Sequence, residues 1–230
     1  MARTYTRSGG VSPKPYDSLN LGLFSGDERE NVLKNMELLA LDVGIEPSGI
    51  VVLDQVHGSK VLLIDGVQGL AGKADGLVSM GVGTGLMIQH ADCGAVVFFD
   101  SRTGAIGAVH AGWRGVKEGV IGRTIQCMAL EFGTNTKDLW VGLGPAVGVC
   151  CYEFRYWTDL LPGWMWRFVD ENHHFDLGGA ILCSLEKYGI NRERIYVSKE
   201  CTGCSRRLFS YRRNHPTGRL GTIIVKPHQS

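Results

Sequence analysis

The chain has no apolar run approaching the 18 or so residues that a membrane-spanning helix requires, and its first 20 residues carry charges and prolines instead of an apolar leader core. The expected location is the cytoplasm. Charge of one sign is also missing: 24 basic against 23 acidic side chains give a formal net charge of +1. With no basic stripe, a nucleic-acid or membrane partner is not expected, and a small-molecule substrate is. The sequence lacks a glycine-rich dinucleotide loop, a Walker loop, a Gly-x-Ser-x-Gly elbow, an internal repeat and any low-complexity tract. No Pro/Ser-rich or charge-dense linker divides the 230 residues, so a single domain over 1–230 is expected. Its 44% hydrophobic and 20% charged composition is sufficient for a sizeable core. Seven cysteines, an odd number in a chain too large to need staples, read as reduced thiols, some of them possible metal ligands.

The most informative stretch is 85–115, GLMIQHADCGAVVFFDSRTGAIGAVHAGWRG. Residues 95–99 and 105–109 are apolar and rich in β-branched or aromatic side chains, and 100–104, Asp-Ser-Arg-Thr-Gly, is turn chemistry. A β-hairpin follows, with Cys93 opposite or nearly opposite His110 if the turn is centred near Ser101 and Arg102. A register change of one residue would separate them onto opposite faces, so their proximity is an expectation. A thiolate beside an imidazole serves either as a nucleophile with its base or as two metal ligands. A lone cysteine on an apolar strand is more often a small buried hydrophobe, but Asp92, His110 and Arg114 around Trp113 make this strand end unusually polar.

Elsewhere, 6–22 is dense in Gly, Pro, Ser and Asn and reads as an extended loop. Ser25 and Glu28 form a capping-box signature ahead of a scaffold helix over 27–42, with Gly44 as its stop. Strands are expected at 50–53 and 61–64, which leaves His57 of DQVHG at a strand end beside Gly58, either a solvated loop histidine or a third ligand. Asp75 precedes another strand as a turn residue or N–H acceptor. A helix is expected over 116–132, with the Gly112–Gly115 passage a weak anion site, then a strand at 139–143, a helix at 177–188 and a strand at 194–198. Cys150-Cys151 reads as a buried pair, wrongly spaced for one tetrahedral site. Cys201 and Cys204 form a CxxC with only His215 and His228 nearby, so no second metal is expected. Trp157, Trp164 and Trp166 read as core or lid packing, and one of Arg212, Arg213 and Arg219 as facing an anionic substrate.

Taken in order, TRSGGVS, NLGL, DQVHG, ADGLVS, ADC, HAGWRG, GPAVG with CCYE, SYRR and TGR resemble the YfiH family, long labelled multicopper polyphenol oxidase or laccase-domain proteins and also called peptidoglycan editing factor. The resemblance runs from Arg7 to Val225. It implies a single-domain α/β (α+β) fold with mixed sheets and flanking helices, similar to the cysteine-hydrolase architecture of cytotoxic necrotizing toxins. It also implies a catalytic zinc held by His57, Cys93 and His110. Family members are reported as purine nucleoside phosphorylases that also deaminate adenosine and cleave methylthioadenosine, and others as editing serine-containing muropeptide precursors. This sequence departs from the family at His90, where a small residue is usual, at Ala95, where a proline is lost, and over 157–174, which has no counterpart.

On this reading the catalytic residues are Asp92, Cys93, His110 and Arg114, with Asp92 as acid/base or support for a ligand. Substrate, a purine nucleoside and phosphate, would be held by Arg7, Asn20, Gln55 and Arg212. Three rivals remain. A copper polyphenol oxidase would need a histidine-rich trinuclear cluster, for which seven histidines with no His-x-His are a poor supply. A metal-independent Cys93/His110 amide hydrolase, including one that edits peptidoglycan precursors, needs no ion. The third is a non-enzymatic metal-dependent binding module.

Overall fold

Alternation along apolar strands decides the layering of this protein. In a strand, successive side chains face opposite ways, so a strand apolar at every position must be covered on both faces. The computed structural model describes residues 1–66 and 69–226. Its strands are β1 (Ala2–Thr4), β2 (Ile50–Asp54), β3 (Val61–Ile64), β4 (Gly69–Lys73), β5 (Gly76–Ser79), β6 (Thr84–His90), β7 (Gly94–Asp100), β8 (Ile106–Ala111), β9 (Leu139–Leu143), β10 (Ile195–Val197) and β11 (Leu220–Lys226). The helices are α1 (Arg29–Val43), α2 (Trp113–Lys117), α3 (Val120–Phe132), α4 (Trp157–Leu160) and α5 (Leu177–Lys187).

Two mixed sheets result, one in the order β1-β11-β6-β2-β4 and the other β10-β9-β7-β8-β5-β3. Val51 and Leu53 of β2 meet Ala95 and Val97 of β7 in a core between the sheets. Ile50 and Val52, of opposite parity, pack with Val32, Met36 and Leu39 of α1. Val96 and Phe98 of β7 turn the other way, onto Ile121, Ile125 and Met128 of α3 and Ile181 and Leu185 of α5. The architecture is therefore mixed α/β, helix on sheet on sheet on helix, as expected.

Local chemistry accounts for the elements, and for where they differ from expectation. The predicted hairpin forms: Asp100 Oδ1 accepts from the backbone N–H of Arg102 and Thr103, and Gly104 N–H donates to Asp100 O at 2.8 Å. No capping box forms at α1. Its N-cap Glu28 makes no side-chain cap, and the Ser25 hydroxyl instead donates to Gly22 O, so the helix begins at Arg29. The predicted helix over 116–132 is two helices, because Gly119 at φ 81° breaks the run between α2 and α3. The loop over 6–22 is as irregular as its composition suggested. Buried Asn35 of α1 ties it down, donating to Ser12 Oγ, Ser18 O and Asn20 O and accepting from Val11 N–H.

Gly122 of α3 marks a close approach of α3 to the end of α5, since a Cβ built there would meet the Tyr188 hydroxyl. Gly122→Ala is expected to cost about 1–3 kcal/mol by overpacking. A urea midpoint falling at an unchanged slope would show it. Among the described residues no helix is long and apolar enough to cross a membrane.

Candidate metal centre

The inter-sheet layer is apolar through its middle and polar at one end. His110, the last-but-one residue of β8, pairs with Ala95 of β7, and Gly94 pairs with Ala111. Cys93, two residues before Ala95, is thus the diagonal same-face neighbour of His110 rather than its direct partner. His90 ends β6, and His57 sits in the turn after β2. The ligand atoms of His57, Cys93 and His110 all lie within 4.8 Å of one another, with the two imidazoles edge to face at 4.8 Å between centroids. His57 is exposed, Cys93 half-buried and His110 buried.

Asp75 holds this arrangement together. Its buried carboxylate faces His110 Nδ1 at 2.8 Å and accepts the backbone N–H of His57 at 2.9 Å and of Gly58 at 2.7 Å. One side chain therefore orients one imidazole, leaving His110 Nε2 for the cleft, and fixes the turn that carries the other. That turn is strained, with His57 at φ 60°. Asp75 was readable in the sequence only as a turn residue or N–H acceptor. Its pairing with His110, 35 residues away, had no sequence signal.

Electrostatics follow from this packing. Burial pushes the Cys93 thiol up, but His110 and His57 beside it more than reverse this and leave it at about 6. Burial pushes His110 down, yet the Cys93 thiolate and the Asp75 carboxylate raise it to about 9. Without a metal the two therefore favour a thiolate–imidazolium pair. His90 is held neutral, at about 3, by burial and by the charge on His110; its Nε2 meets Thr222 Oγ1 at 2.8 Å, and its Nδ1 has no partner among the described residues.

The three side chains open into a cleft of about 570 Å³. Arg114, Arg212 and Arg219 line it, as do Gln55, Tyr152 and Tyr211. Arg114 lies over the Trp113 ring and Arg212 over the Tyr152 ring. Arg213 turns away, donating to the carbonyls of Thr202, Gly203, Ser205 and Leu208. Asp92 also borders the cleft, at φ 100°, but its carboxylate is taken up by the Thr202 hydroxyl at 2.6 Å and Arg212 N–H at 2.7 Å. Gln55 exchanges hydrogen bonds with the Gln89 backbone. Arg7 and Asn20 do not line the cleft: Arg7 pairs with Asp17, and buried Asn20 donates to Ser25 and Asp27 while accepting from Gly22 and Arg219 N–H. Trp157 packs on Trp166 away from it. A separate cavity of about 600 Å³, beside Trp140 and Tyr196, contains none of the three donors.

The expectation that Cys150-Cys151 is buried fails, since Cys150 is exposed and Cys151 half-buried. His228 lies outside the described residues.

Gly112 is the tightest neighbour of the donor set. Its φ of −73° suits any residue, but an added Cβ would stand 3.1 Å from Cys93 Sγ and 3.4 Å from His57 Cδ2. Gly112→Ala is expected to weaken metal retention about 10-fold with little change in Tm, as measured by metal titration of the apo chain.

Over residues 1–226 the sequence matches the family described as multi-copper polyphenol oxidoreductase laccase. The chain belongs to this laccase-domain family. It is 37% identical to the purine nucleoside phosphorylase Rv2149c of Mycobacterium tuberculosis, over 96% of this chain and 90% of that one. With the purine nucleoside phosphorylase YfiH of Escherichia coli it shares 35% identity over 95% and 90%. The crystal structure of YlmD from Geobacillus stearothermophilus superposes with a TM-score of 0.90 at 32% identity, covering 99% of this chain and 92% of that one. The laccase-domain fold is thus present nearly end to end.

Proposed function

We propose that this laccase-domain protein is a zinc-dependent purine nucleoside phosphorylase, with adenosine deamination and methylthioadenosine cleavage as further activities of the same cleft. The observation that carries the reading is the convergence of three arginines on the cleft that holds His57, Cys93 and His110. The donor set fits zinc: two imidazoles and one thiol already low enough to ionise at neutral pH, one imidazole oriented by a carboxylate, and an open side for a further ligand. When bound there, zinc would supply a Lewis acid for an oxygen or a leaving group.

The chain's own residues would do the rest. In phosphorolysis a phosphate oxygen bonds to C1′ of the sugar as the bond from C1′ to the purine nitrogen breaks, and the departing base takes up a proton. Arg114, Arg212 and Arg219 would hold the phosphate dianion and set its approach. Tyr152 and Tyr211 offer ring faces and edges to the base, and His90 Nδ1 offers a neutral acceptor or donor. Gln55 and Asp92, their hydrogen bonds already committed, position the walls instead of reacting. Relatives named as purine nucleoside phosphorylases support the substrate class.

The test is base release from inosine and adenosine with and without inorganic phosphate. Hypoxanthine or adenine appearing only with phosphate supports the reading, and no turnover under either condition overturns it. One observation favours a second reading: the Cys93–His110 ion pair is what a thiol hydrolase would use. Amide cleavage that survives a chelator would select it. The copper oxidase is less well supplied, because beyond the two ligand imidazoles only His90 reaches the cleft among the described histidines.

A further inference from the structure

Next to Val147 and Tyr152, which line the cleft, four cysteines from two loops about 50 residues apart meet. The turn ending in Cys150 and Cys151 and the loop carrying Cys201 and Cys204 place four sulfurs within 4.8 Å of one another. Cys204 Sγ lies 3.4 Å from Cys150 Sγ and 3.4 Å from Cys151 Sγ. These are neither bonded pairs nor ordinary scattered thiols. Four thiolates around zinc, with bonds of about 2.3 Å, stand roughly 3.8 Å apart at the corners of a tetrahedron. One sulfur equally near two adjacent cysteines suits such a cage better than a disulfide, which serves a single partner.

The backbone around the sulfurs is shaped for this approach. A Cβ on Gly203 would fall 2.7 Å from Cys151 Cβ and 2.9 Å from its sulfur, and one on Gly148 would fall 3.3 Å from Cys150 Sγ and 3.4 Å from Cys201 Sγ. Both loops thus carry glycine where a side chain would fill the cluster. Gly148 N–H donates to Cys201 Sγ at 3.1 Å, the kind of contact that stabilises a thiolate. Cys151 N–H closes the turn onto Gly148 O at 2.9 Å, which brings two consecutive sulfurs to one side. The spacing of the adjacent pair, unsuited to an extended chain, is accommodated by this turn.

We infer that Cys150, Cys151, Cys201 and Cys204 form a tetrathiolate zinc site, separate from the His57–Cys93–His110 set, that fastens the loop after β10 to the turn at Cys150 and Cys151. The loops it would join also meet through backbone: Thr202 N–H donates to Ala146 O at 3.0 Å, and Val147 N–H to Asp92 O at 2.8 Å. The Thr202 hydroxyl then reaches the Asp92 carboxylate, which also holds Arg212 N–H. Zinc at the four sulfurs would lock the strand of contacts that sets Arg212 and Tyr152 on the cleft. Its role is structural, because four thiolates leave the ion no open position.

The experiment compares zinc content per chain in the full-length wild type and in Cys150→Ser/Cys204→Ser, both purified under reductant without chelator. The wild type is expected to hold one more zinc than the variant, whether or not the other site is loaded, so a failure there and a failure here are told apart. On a Cys93→Ser background, X-ray absorption at the zinc edge should show four sulfur neighbours at about 2.3 Å. Thiol titration of the native wild type needs no substitution: the four thiols should stay protected until a chelator is added. Equal zinc in both proteins, iron or copper in place of zinc, intramolecular disulfides, or immediate reaction of all four thiols would each overturn the assignment.

Discussion

His57→Gly is expected to abolish nucleoside turnover while leaving the fold as stable as before or slightly more so. His57 occupies the left-handed region at φ 60°, where a side chain costs about 1 kcal/mol or more and glycine costs little. The residue is exposed and its ring packs edge to face on His110 alone among the described aromatic rings, so removing it forfeits little packing. What is lost is one of three donors. Substitutions of groups merely supporting a metal ligand cost about 10–100-fold in affinity or activity, and loss of a ligand itself should exceed the upper end of that range. Zinc content per chain, phosphorolysis rate and Tm of the metal-free protein, measured together, give the result. A variant that holds as much zinc per chain as the wild type and keeps its rate would remove His57 from the ligand set. Cys93→Ser should behave alike in metal content, since a hydroxyl does not ionise where the thiol does. The opposed signs of stability and function at His57 are what a strained functional turn predicts.

Asp75→Asn is expected to damage both properties. The carboxylate is fully buried and serves four donors, His110 Nδ1 and the N–H groups of Val56, His57 and Gly58. An amide of the same shape turns an N–H₂ toward at least one of them, leaving donors facing each other in a buried place; a loss of about 1–3 kcal/mol follows. Metal affinity should fall about 10–100-fold, because His110 loses its orienting partner and the His57 turn its anchor. Asp75→Ala removes the acceptor altogether and should cost about 3–5 kcal/mol, the range for breaking a buried ion pair. Acid adds a signature. Burial alone would raise the Asp75 carboxyl, but His110 and the two N–H groups hold it below the usual range. A depressed carboxyl contributes stability above its unfolded pKa of about 3.9 and loses that contribution as pH falls through its lower folded value. The metal-free wild type should therefore lose more stability than Asp75→Asn on acidification below about pH 4, as denaturation midpoints across pH would record. Equal acid sensitivity in the two chains would show that Asp75 is not ionised in the folded state.

The glycines at Gly112 and Gly122 separate the site from the scaffold in the same way. One crowds two ligands and no helix, the other a helix contact and no ligand. Activity without stability loss at the second position, and stability without activity loss at the first, would both contradict that division.

By itself the sequence determined what local interactions can determine. The hairpin turn over 100–104 is built from Asp100 accepting its own neighbours' N–H groups, and the apolar runs around it are strands buried at every position except Phe99. Cys93 and His110 were legible because polar groups at the end of an apolar strand are rarely there for packing, whereas His57 read equally as a solvated loop histidine and joined the set through the family resemblance. Tertiary structure alone decided which of them meet. Strand register put Ala95, not Cys93, opposite His110; a parallel pairing of β2 with β6 carried His57 to the same end; and a loop 35 residues upstream delivered Asp75 to His110. Arg7 and Asn20 read as candidates to bind phosphate or ribose, but Arg7 is paired with Asp17 and Asn20 is bonded to Ser25, Asp27, Gly22 and Arg219. The Cys150-Cys151 pair reads as ill-spaced along the chain and meets Cys201 and Cys204 only because two loops fold over glycines. The physical reason is common to all of these: spacing along a chain constrains neighbours within a turn or a hairpin, whereas partners dozens of residues apart are chosen by sheet order and loop packing, which every buried residue sets jointly.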